Sequence, residues 1–108
     1  MKTTLLITGV AGFIGSKIAK KALEKGYVVI GVDDLSGGKR ENIPPGVNFY
    51  QLDLSKKELF RQLPKEVSYI LHLAGQSSGE ISFDNPQLDL EKNTHSTLNL
   101  INFGIENR

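Results

Sequence analysis

Apolar positions along this chain follow two spacings, which predict strands and helices in alternation. Short continuous apolar runs bounded by glycine, proline or polar residues are typical of strands buried on both faces. Two such runs occur, at residues 5–7 and 27–32, and two further strands are predicted at residues 47–51 and 67–74. Between the first two, apolar residues of segment 13–25 recur at helical spacing while lysine and glutamate occupy the other side. Gly26 is placed to end that helix.

Two further helices are indicated by their start and stop signals. Residues 55–58, Ser-Lys-Lys-Glu, have the spacing of a capping box and predict a short helix that Pro64 ends. Asn85 followed by proline predicts the start of the last helix, which we expect to run to Phe103 with Gly104 past its end. Strands alternating with helices predict a parallel α/β sheet with right-handed crossovers.

The strongest functional signal is the glycine spacing of residues 8–15, Thr-Gly-Val-Ala-Gly-Phe-Ile-Gly, between the first strand and the first helix. A pyrophosphate at a helix N-terminus needs free backbone N–H groups, and side chains in the turn would hold it off. Gly9 permits a tight turn, Gly12 permits close approach of the phosphates, and Gly15 permits close packing of the helix on the sheet. The spacing is Gly-x-x-Gly-x-x-Gly rather than Gly-x-Gly-x-x-Gly, so it indicates a dinucleotide site only together with other features.

Two aspartates extend this hypothesis. Asp33 ends the second strand, where a carboxylate can accept both ribose hydroxyls of the adenosine half and would repel a 2′-phosphate, which favours NAD over NADP. The alternative for Asp33 is a turn residue at a strand end. Asp53 and Leu54 follow the third strand, beside the expected position of adenine. An Asp-x-Ser sequence before a helix is also ordinary capping sequence, so both interpretations of Asp53 stay open.

Composition narrows the class of protein. A chain of 108 residues predicts one domain, and a net charge of +1 argues against a binder of nucleic acid. The chain contains no cysteine, which fits the cytoplasm, and its longest apolar run is far too short for a membrane span. The lysines at 17, 20, 21 and 25 are interpreted as a solvated helix face rather than an anion site. With two isolated histidines, His72 and His95, no metal site is expected, and His72 is interpreted as a neutral imidazole with a hydrogen-bond partner.

Several separately placed motifs carry a family resemblance. TGVAGFIGS, VDDLSGGKRENI, DLS, HLAGQSS, Asn85 with its proline, Asn93 and STLNL follow one another along nearly the whole chain. The sequence resembles the N-terminal part of the extended short-chain dehydrogenase/reductase superfamily, in particular NAD-dependent nucleotide-sugar epimerases and dehydratases of the UDP-glucose 4-epimerase type. The resemblance implies that residues 1–108 are an N-terminal NAD-binding portion. Its fold would be a Rossmann-type parallel sheet of order 3-2-1-4, flanked by helices and truncated after the fourth strand and its helix.

The resemblance also implies a set of cofactor-binding residues. Those expected around the pyrophosphate, ribose and adenine are Gly9, Gly12, Phe13, Ile14, Gly15, Asp33, Asp34, Leu35, Ser36, Gly37, Asp53 and Leu54. Those expected around the nicotinamide half are Leu73, Ala74, Gly75 and Asn93, and a more variable loop places Ser77 and Ser78 near the nucleotide-sugar substrate. The chain departs from the usual pattern at Asp34, where Asn is common, and at Gly75, where many members have Ala.

The catalytic pattern of that family is missing. Its chemistry needs a Tyr-x-x-x-Lys pair, and Tyr27, Tyr50 and Tyr69 have no lysine four residues on. We therefore expect an NAD-binding segment that is inactive by itself, with no catalytic residue. The alternatives are a non-catalytic nucleotide-binding module, regulatory or structural, and an α/β domain without a ligand. The fourth strand, 67–74, would be an open edge, which predicts homo-oligomers through that strand or the last helix.

Overall fold

A four-stranded parallel sheet forms the centre of the protein, which is described by a computed structural model. The structure describes residues 2–74 and 96–107. The strands are β1 (Thr4–Thr8), β2 (Val28–Asp33), β3 (Asn48–Gln51) and β4 (Tyr69–His72). Their order is β3-β2-β1-β4, and every neighbouring pair is parallel. This arrangement confirms the predicted α/β fold class and strand order.

In the described part of the chain, two α-helices pack on the sheet, α1 (Phe13–Glu24) and α2 (Ser96–Glu106). α1 ends as predicted, with Gly26 at a φ of +84° just beyond it. The prediction that the last helix ends at Phe103 was wrong, because α2 continues through Gly104. Gly104 faces the sheet, where an added Cβ would lie 3.5 Å from Cδ1 of Ile70. The predicted start at Asn85 lies outside the described residues. No helix within residues 2–74 and 96–107 is long and apolar enough to cross a membrane.

Each face of the sheet has its own apolar core, because successive side chains of a strand point to opposite faces. Leu6 and Ile7 are both fully buried, one in each core. The Ile7 core packs against α1 through Ala19. The Leu6 core packs against α2 through Phe103, whose ring centroid lies 5.7 Å from that of Phe60. The first two strands are therefore buried on both faces, as their continuous apolar runs predict.

The segment after β3 differs from the prediction. A 3-10 helix spans Lys57–Gln62, and no side chain caps it. The predicted capping box is absent because the Ser55 hydroxyl donates to Oδ1 of Asp53 at 2.6 Å, and the Ser55 N–H donates to the same oxygen at 3.0 Å. The Asp53 carboxylate therefore takes up the group that would have capped a helix. Leu63 is extended before Pro64, so the predicted end is confirmed.

Among the residues that the structure describes, β4 and the residue after it carry exposed apolar side chains. Tyr69, Leu71 and Leu73 are 64%, 36% and 43% exposed, and Tyr69 and Leu71 lie in register beside Leu5 and Ile7 of β1. An outer strand with exposed apolar side chains is a template for pairing. We predict that the chain self-associates and that Leu71→Lys weakens the association, measured by sedimentation velocity. A monomeric wild-type chain at concentrations of tens of micromolar would contradict this prediction.

Candidate functional site

The carboxyl ends of the four strands lie at one edge of the sheet, where parallel α/β sheets bind ligands. Thr8 and Val32 are paired in register, and the turn after β1 begins there. The Gly9 N–H donates to the carbonyl oxygen of Val32 at 2.8 Å, which fixes the turn to the end of β2. The glycine segment, residues 9–15, therefore lies directly over the ends of the two central strands.

At two positions of this segment, close packing leaves room for glycine and for no larger residue. Gly9 has a φ of +73°, and an added Cβ would lie 2.9 Å from the backbone nitrogen of Ala74. A Cβ on Gly15 would overlap the carbonyl oxygen of Gly9 and lie 3.1 Å from Cα of Val10. The turn is thus packed between the end of β4 and the first turn of α1, with no room for side chains at these two positions.

The N-terminus of α1 offers backbone donors to an anion. Gly12 precedes the helix and its N–H donates to the carbonyl oxygen of Gly9 at 3.1 Å. The N–H groups of Phe13 and Ile14 have no acceptor within the helix, since they belong to its first turn. No side chain caps α1, and its first turn holds no acidic residue. The helix dipole adds positive potential at this point, so the arrangement suits a phosphate.

Asp33 ties this turn to the segment after β2. Asp33 is 9% exposed as a whole residue, and its Oδ2 accepts a hydrogen bond from the Ala11 N–H at 2.9 Å. Oδ1 accepts from the Leu35 N–H at 2.8 Å. Leu35 has a φ of +64°, a conformation that is strained for a residue with a side chain and that the carboxylate stabilises. Each carboxylate oxygen has a second lone pair, which a ribose hydroxyl can use.

The segment that connects β2 to β3 packs against Ala11 and donates hydrogen bonds to it. The carbonyl oxygen of Ala11 accepts from the Lys39 N–H at 3.3 Å and from Nδ2 of Asn42 at 3.1 Å. A Cβ on Gly38 would lie 2.6 Å from the carbonyl carbon of Ala11, whereas a Cβ on Gly37 would meet nothing within 4 Å. Gly37 was predicted to line the ribose and the adenine edge, and that stays a prediction, whereas the packing of Gly38 on Ala11 was not predicted from the sequence.

Two further predicted residue pairs have defined surroundings. Oδ1 of Asp34 accepts from both the N–H and the hydroxyl of Ser36, at 2.9 and 2.7 Å. Leu54 is buried in the core against α2, at 5% exposure. Its carbonyl oxygen accepts from Nδ2 of Asn99 at 2.9 Å. Oδ1 of Asp53 accepts from the N–H and the hydroxyl of Ser55 in the turn after β3, and the contact of Asp53 with adenine stays a prediction.

His72 takes part in a hydrogen-bond chain across β1, β4 and α2. The hydroxyl oxygen of Thr8 accepts from the N–H groups of Leu73 and Ala74, at 3.0 and 3.1 Å, and lies 2.7 Å from Nδ1 of His72. Because a hydroxyl has two lone pairs and one proton, Thr8 must donate to Nδ1. His72 is then the neutral tautomer with its proton on Nε2, which donates to Oγ1 of Thr97 at 3.0 Å. Burial lowers the pKa of His72, consistent with a neutral ring.

Several predicted site residues lie outside the described residues. They are Gly75, Ser77, Ser78 and Asn93. The other predicted residues lie at or after the carboxyl ends of the four strands or at the start of α1. Gly37 has open space beside its Cα. Within residues 2–74 and 96–107, no three His, Cys, Asp or Glu side chains are grouped so as to hold a metal ion.

Comparison with known sequences identifies relatives along nearly the whole chain. The model of the NAD dependent epimerase/dehydratase family matches residues 5–106. The UDP-glucose 4-epimerase of Mycolicibacterium smegmatis is 38% identical over an alignment of 101 positions that covers 88% of this chain and 32% of that protein. UDP-glucuronic acid decarboxylase 1 of Danio rerio is 34% identical over 97 residues, 90% of this chain and 23% of that protein. The chain thus spans about a third or less of these relatives.

Solved structures agree with the sequence relatives. The UDP-glucose 4-epimerase of Thermus thermophilus, in complex with NAD, has a TM-score of 0.85 and 40% identity, over 96% of this chain and 34% of that one. Bordetella bronchiseptica WbmF, in complex with NAD+, has a TM-score of 0.91 and 33% identity, over 99% of this chain and 33% of that one. These matches confirm the resemblance that the motifs indicated.

Proposed function

Because the chain belongs to the NAD-dependent epimerase/dehydratase family, we propose that residues 1–108 are the NAD-binding portion of a nucleotide-sugar epimerase or dehydratase. NAD is the cofactor of that family, as the sequence predicted. The names of two relatives, the UDP-glucose 4-epimerase of Mycolicibacterium smegmatis and the UDP-glucuronic acid decarboxylase 1 of Danio rerio, describe enzymes that act on UDP-sugars. We extend to this chain the class of substrate, a nucleotide sugar, and leave the reacting carbon open because these relatives differ in reaction.

One observation carries the proposal: the uncapped N-terminus of α1 and the Asp33 carboxylate are joined through a single residue, Ala11. The N–H groups of Phe13 and Ile14 would hold the pyrophosphate, and Gly12 leaves room for it. Asp33 would accept the hydroxyls of the adenosine ribose. A dinucleotide needs both groups along one crevice, and their connection through Ala11 sets the spacing between them.

The remaining residues complete the proposed crevice. Asp34, Leu35, Ser36 and Gly37 would line the ribose and the adenine edge, Asp53 and Leu54 the adenine ring, and Leu73 and Ala74 the nicotinamide half. NAD supplies a hydride acceptor when bound, and the residues of this chain orient it and shield it from water. The chain has no Tyr-x-x-x-Lys pair, so we propose that it binds the cofactor and contributes no proton-transfer residue.

Titration with NAD tests the proposed function. A ligand that binds only the folded state stabilises it by about 2.7 kcal/mol at a concentration of one hundred times its dissociation constant. We therefore expect millimolar NAD to raise the melting temperature and to shift the amide resonances of Gly12, Phe13 and Ile14. NADP is the matched control and should bind more weakly, because its 2′-phosphate would face the Asp33 carboxylate.

Two outcomes would contradict the proposal. The first is an unchanged melting temperature with NAD at millimolar concentration. The second is equal stabilisation by NAD and NADP, because the Asp33 carboxylate would then not contact the ribose.

A further inference from the structure

α2 is connected by side-chain hydrogen bonds to two ends of the proposed cofactor crevice. Thr97 reaches the end of β4 through His72 and Thr8. Two residues further along, Asn99 donates from Nδ2 to the carbonyl oxygen of Leu54, 2.9 Å away. Leu54 follows β3, at the adenine side of the proposed crevice, and β4 ends at the nicotinamide side. α2 therefore contacts both the adenine side and the nicotinamide side of the proposed crevice.

The connection through His72 determines the orientation of two peptide groups. The Thr8 hydroxyl accepts from the N–H groups of Leu73 and Ala74. The Leu73 N–H also donates to the carbonyl oxygen of Thr8 at 3.2 Å. The hydroxyl can hold both N–H groups only while its own proton points to Nδ1 of His72. That requires the tautomer with a proton on Nε2, and Thr97 holds the ring of this tautomer in place by accepting a hydrogen bond from Nε2. Thr97 thus acts on Leu73 and Ala74 without touching them.

The end of β4 has little freedom to move without affecting the glycine segment. The backbone of Ala74 lies so close to Gly9 that a Cβ on Gly9 would be 2.9 Å from its nitrogen. A change in the Thr8 hydrogen bonds would therefore displace the turn that precedes α1. The proposed pyrophosphate donors, Phe13 and Ile14, follow that turn directly.

We propose that Thr97 and Asn99 are positioning residues for NAD, which hold the two sides of the crevice at the separation that the dinucleotide requires. Thr97 acts through His72 and Thr8, and Asn99 acts directly on the backbone of Leu54. This inference rests on the proposed function, since it concerns the affinity of the same cofactor site. Neither residue was selected from the sequence for such a role, because each contacts a segment far away in the chain.

The test compares NAD affinity with stability in matched variants of the chain. Thr97→Val removes the acceptor for Nε2 of His72 at nearly constant volume, and Asn99→Asp replaces the donor to Leu54 by an oxygen. We expect each to weaken NAD binding roughly five- to tenfold, the equivalent of one lost hydrogen bond. Thr97→Ser retains the hydroxyl and should restore the wild-type dissociation constant. Calorimetric titration well below the melting temperature measures the affinity.

A purely structural role would give a different pattern. Phe103→Leu is the control, because Phe103 is buried in the Leu6 core and its side chain has no hydrogen-bonding group. It should lower the melting temperature and leave the NAD dissociation constant unchanged. NMR of the His72 ring should show an unprotonated Nδ1 in the wild-type chain, and the amide resonances of Leu73 and Ala74 should shift in Thr97→Val before NAD is added.

The outcomes separate the two proposals. If the wild-type chain binds NAD and both Thr97→Val and Asn99→Asp bind it equally well, the positioning role is wrong and the proposed function stands. If Thr97→Ser fails to restore the affinity lost in Thr97→Val, the hydroxyl is not the cause and the role is again wrong. If the wild-type chain binds no NAD, the proposed function is wrong and the positioning role falls with it.

Discussion

Replacing Gly15 with alanine is expected to destabilise the chain by at least about 3 kcal/mol, the upper part of the range for overpacking, and to abolish NAD binding. The new Cβ would overlap the Gly9 carbonyl oxygen and lie 2.9 Å from its carbonyl carbon. Both are backbone atoms, so relief requires α1 to move away from the turn. The N–H groups of Phe13 and Ile14 would move with the helix. Urea unfolding measures the stability, and calorimetric titration measures the binding.

Gly104→Ala is the matched control, since Gly104 is also a glycine within a helix. Its added Cβ would meet Cδ1 of Ile70 at 3.5 Å, an ordinary contact. Alanine in a helix interior is favoured over glycine by roughly 0.5–1 kcal/mol, so this variant should be slightly more stable than wild type. Equal stability of Gly15→Ala and Gly104→Ala would show that α1 does not pack on the turn as described.

Asp33→Asn is expected to cost about 1.5–3 kcal/mol of stability, the range for hydrogen bonds to charged groups. An amide has one acceptor oxygen, so its NH2 group would face the N–H of either Ala11 or Leu35. The ribose hydroxyls would also lose the carboxylate, and we expect NAD to bind at least about tenfold more weakly. Urea unfolding and calorimetric titration measure the two effects separately.

Glu24→Gln provides the control for this loss of charge. Glu24 is exposed at the end of α1, and its neutralisation should change stability by less than about 0.5 kcal/mol. It should also leave NAD binding unchanged. A similar loss of affinity in both variants would indicate that net charge, and not the position of the Asp33 carboxylate, governs binding.

The sequence could be interpreted correctly where the local pattern and the tertiary structure favour the same result. The first two strands and α1 are predicted within one or two residues, because their apolar residues are buried at the spacing of the element itself. Gly9 and Asp33 stand at the ends of β1 and β2 and Gly15 stands in the first turn of α1, as the motif indicated. The turn is as tight as the three glycines suggested.

Two predictions failed where other contacts changed a local signal. Ser55 had the spacing of a capping residue, but its hydroxyl donates to the Asp53 carboxylate instead of capping a helix. Gly104 looked like a helix end, but it lies against Ile70 of β4, and α2 continues past it. In both positions the residue type is compatible with two conformations, and the surrounding contacts select one.

The sequence by itself determined the alternation of strands and helices, the glycine turn and the carboxylate at the end of β2, since each depends on neighbouring residues. The tertiary structure decided that Gly38 rather than Gly37 is packed on Ala11, and that Thr8, His72 and Thr97 form one chain of hydrogen bonds. The physical reason is sequence separation. Thr8 and His72 are 64 residues apart, and parallel pairing of β1 with β4 brings them together.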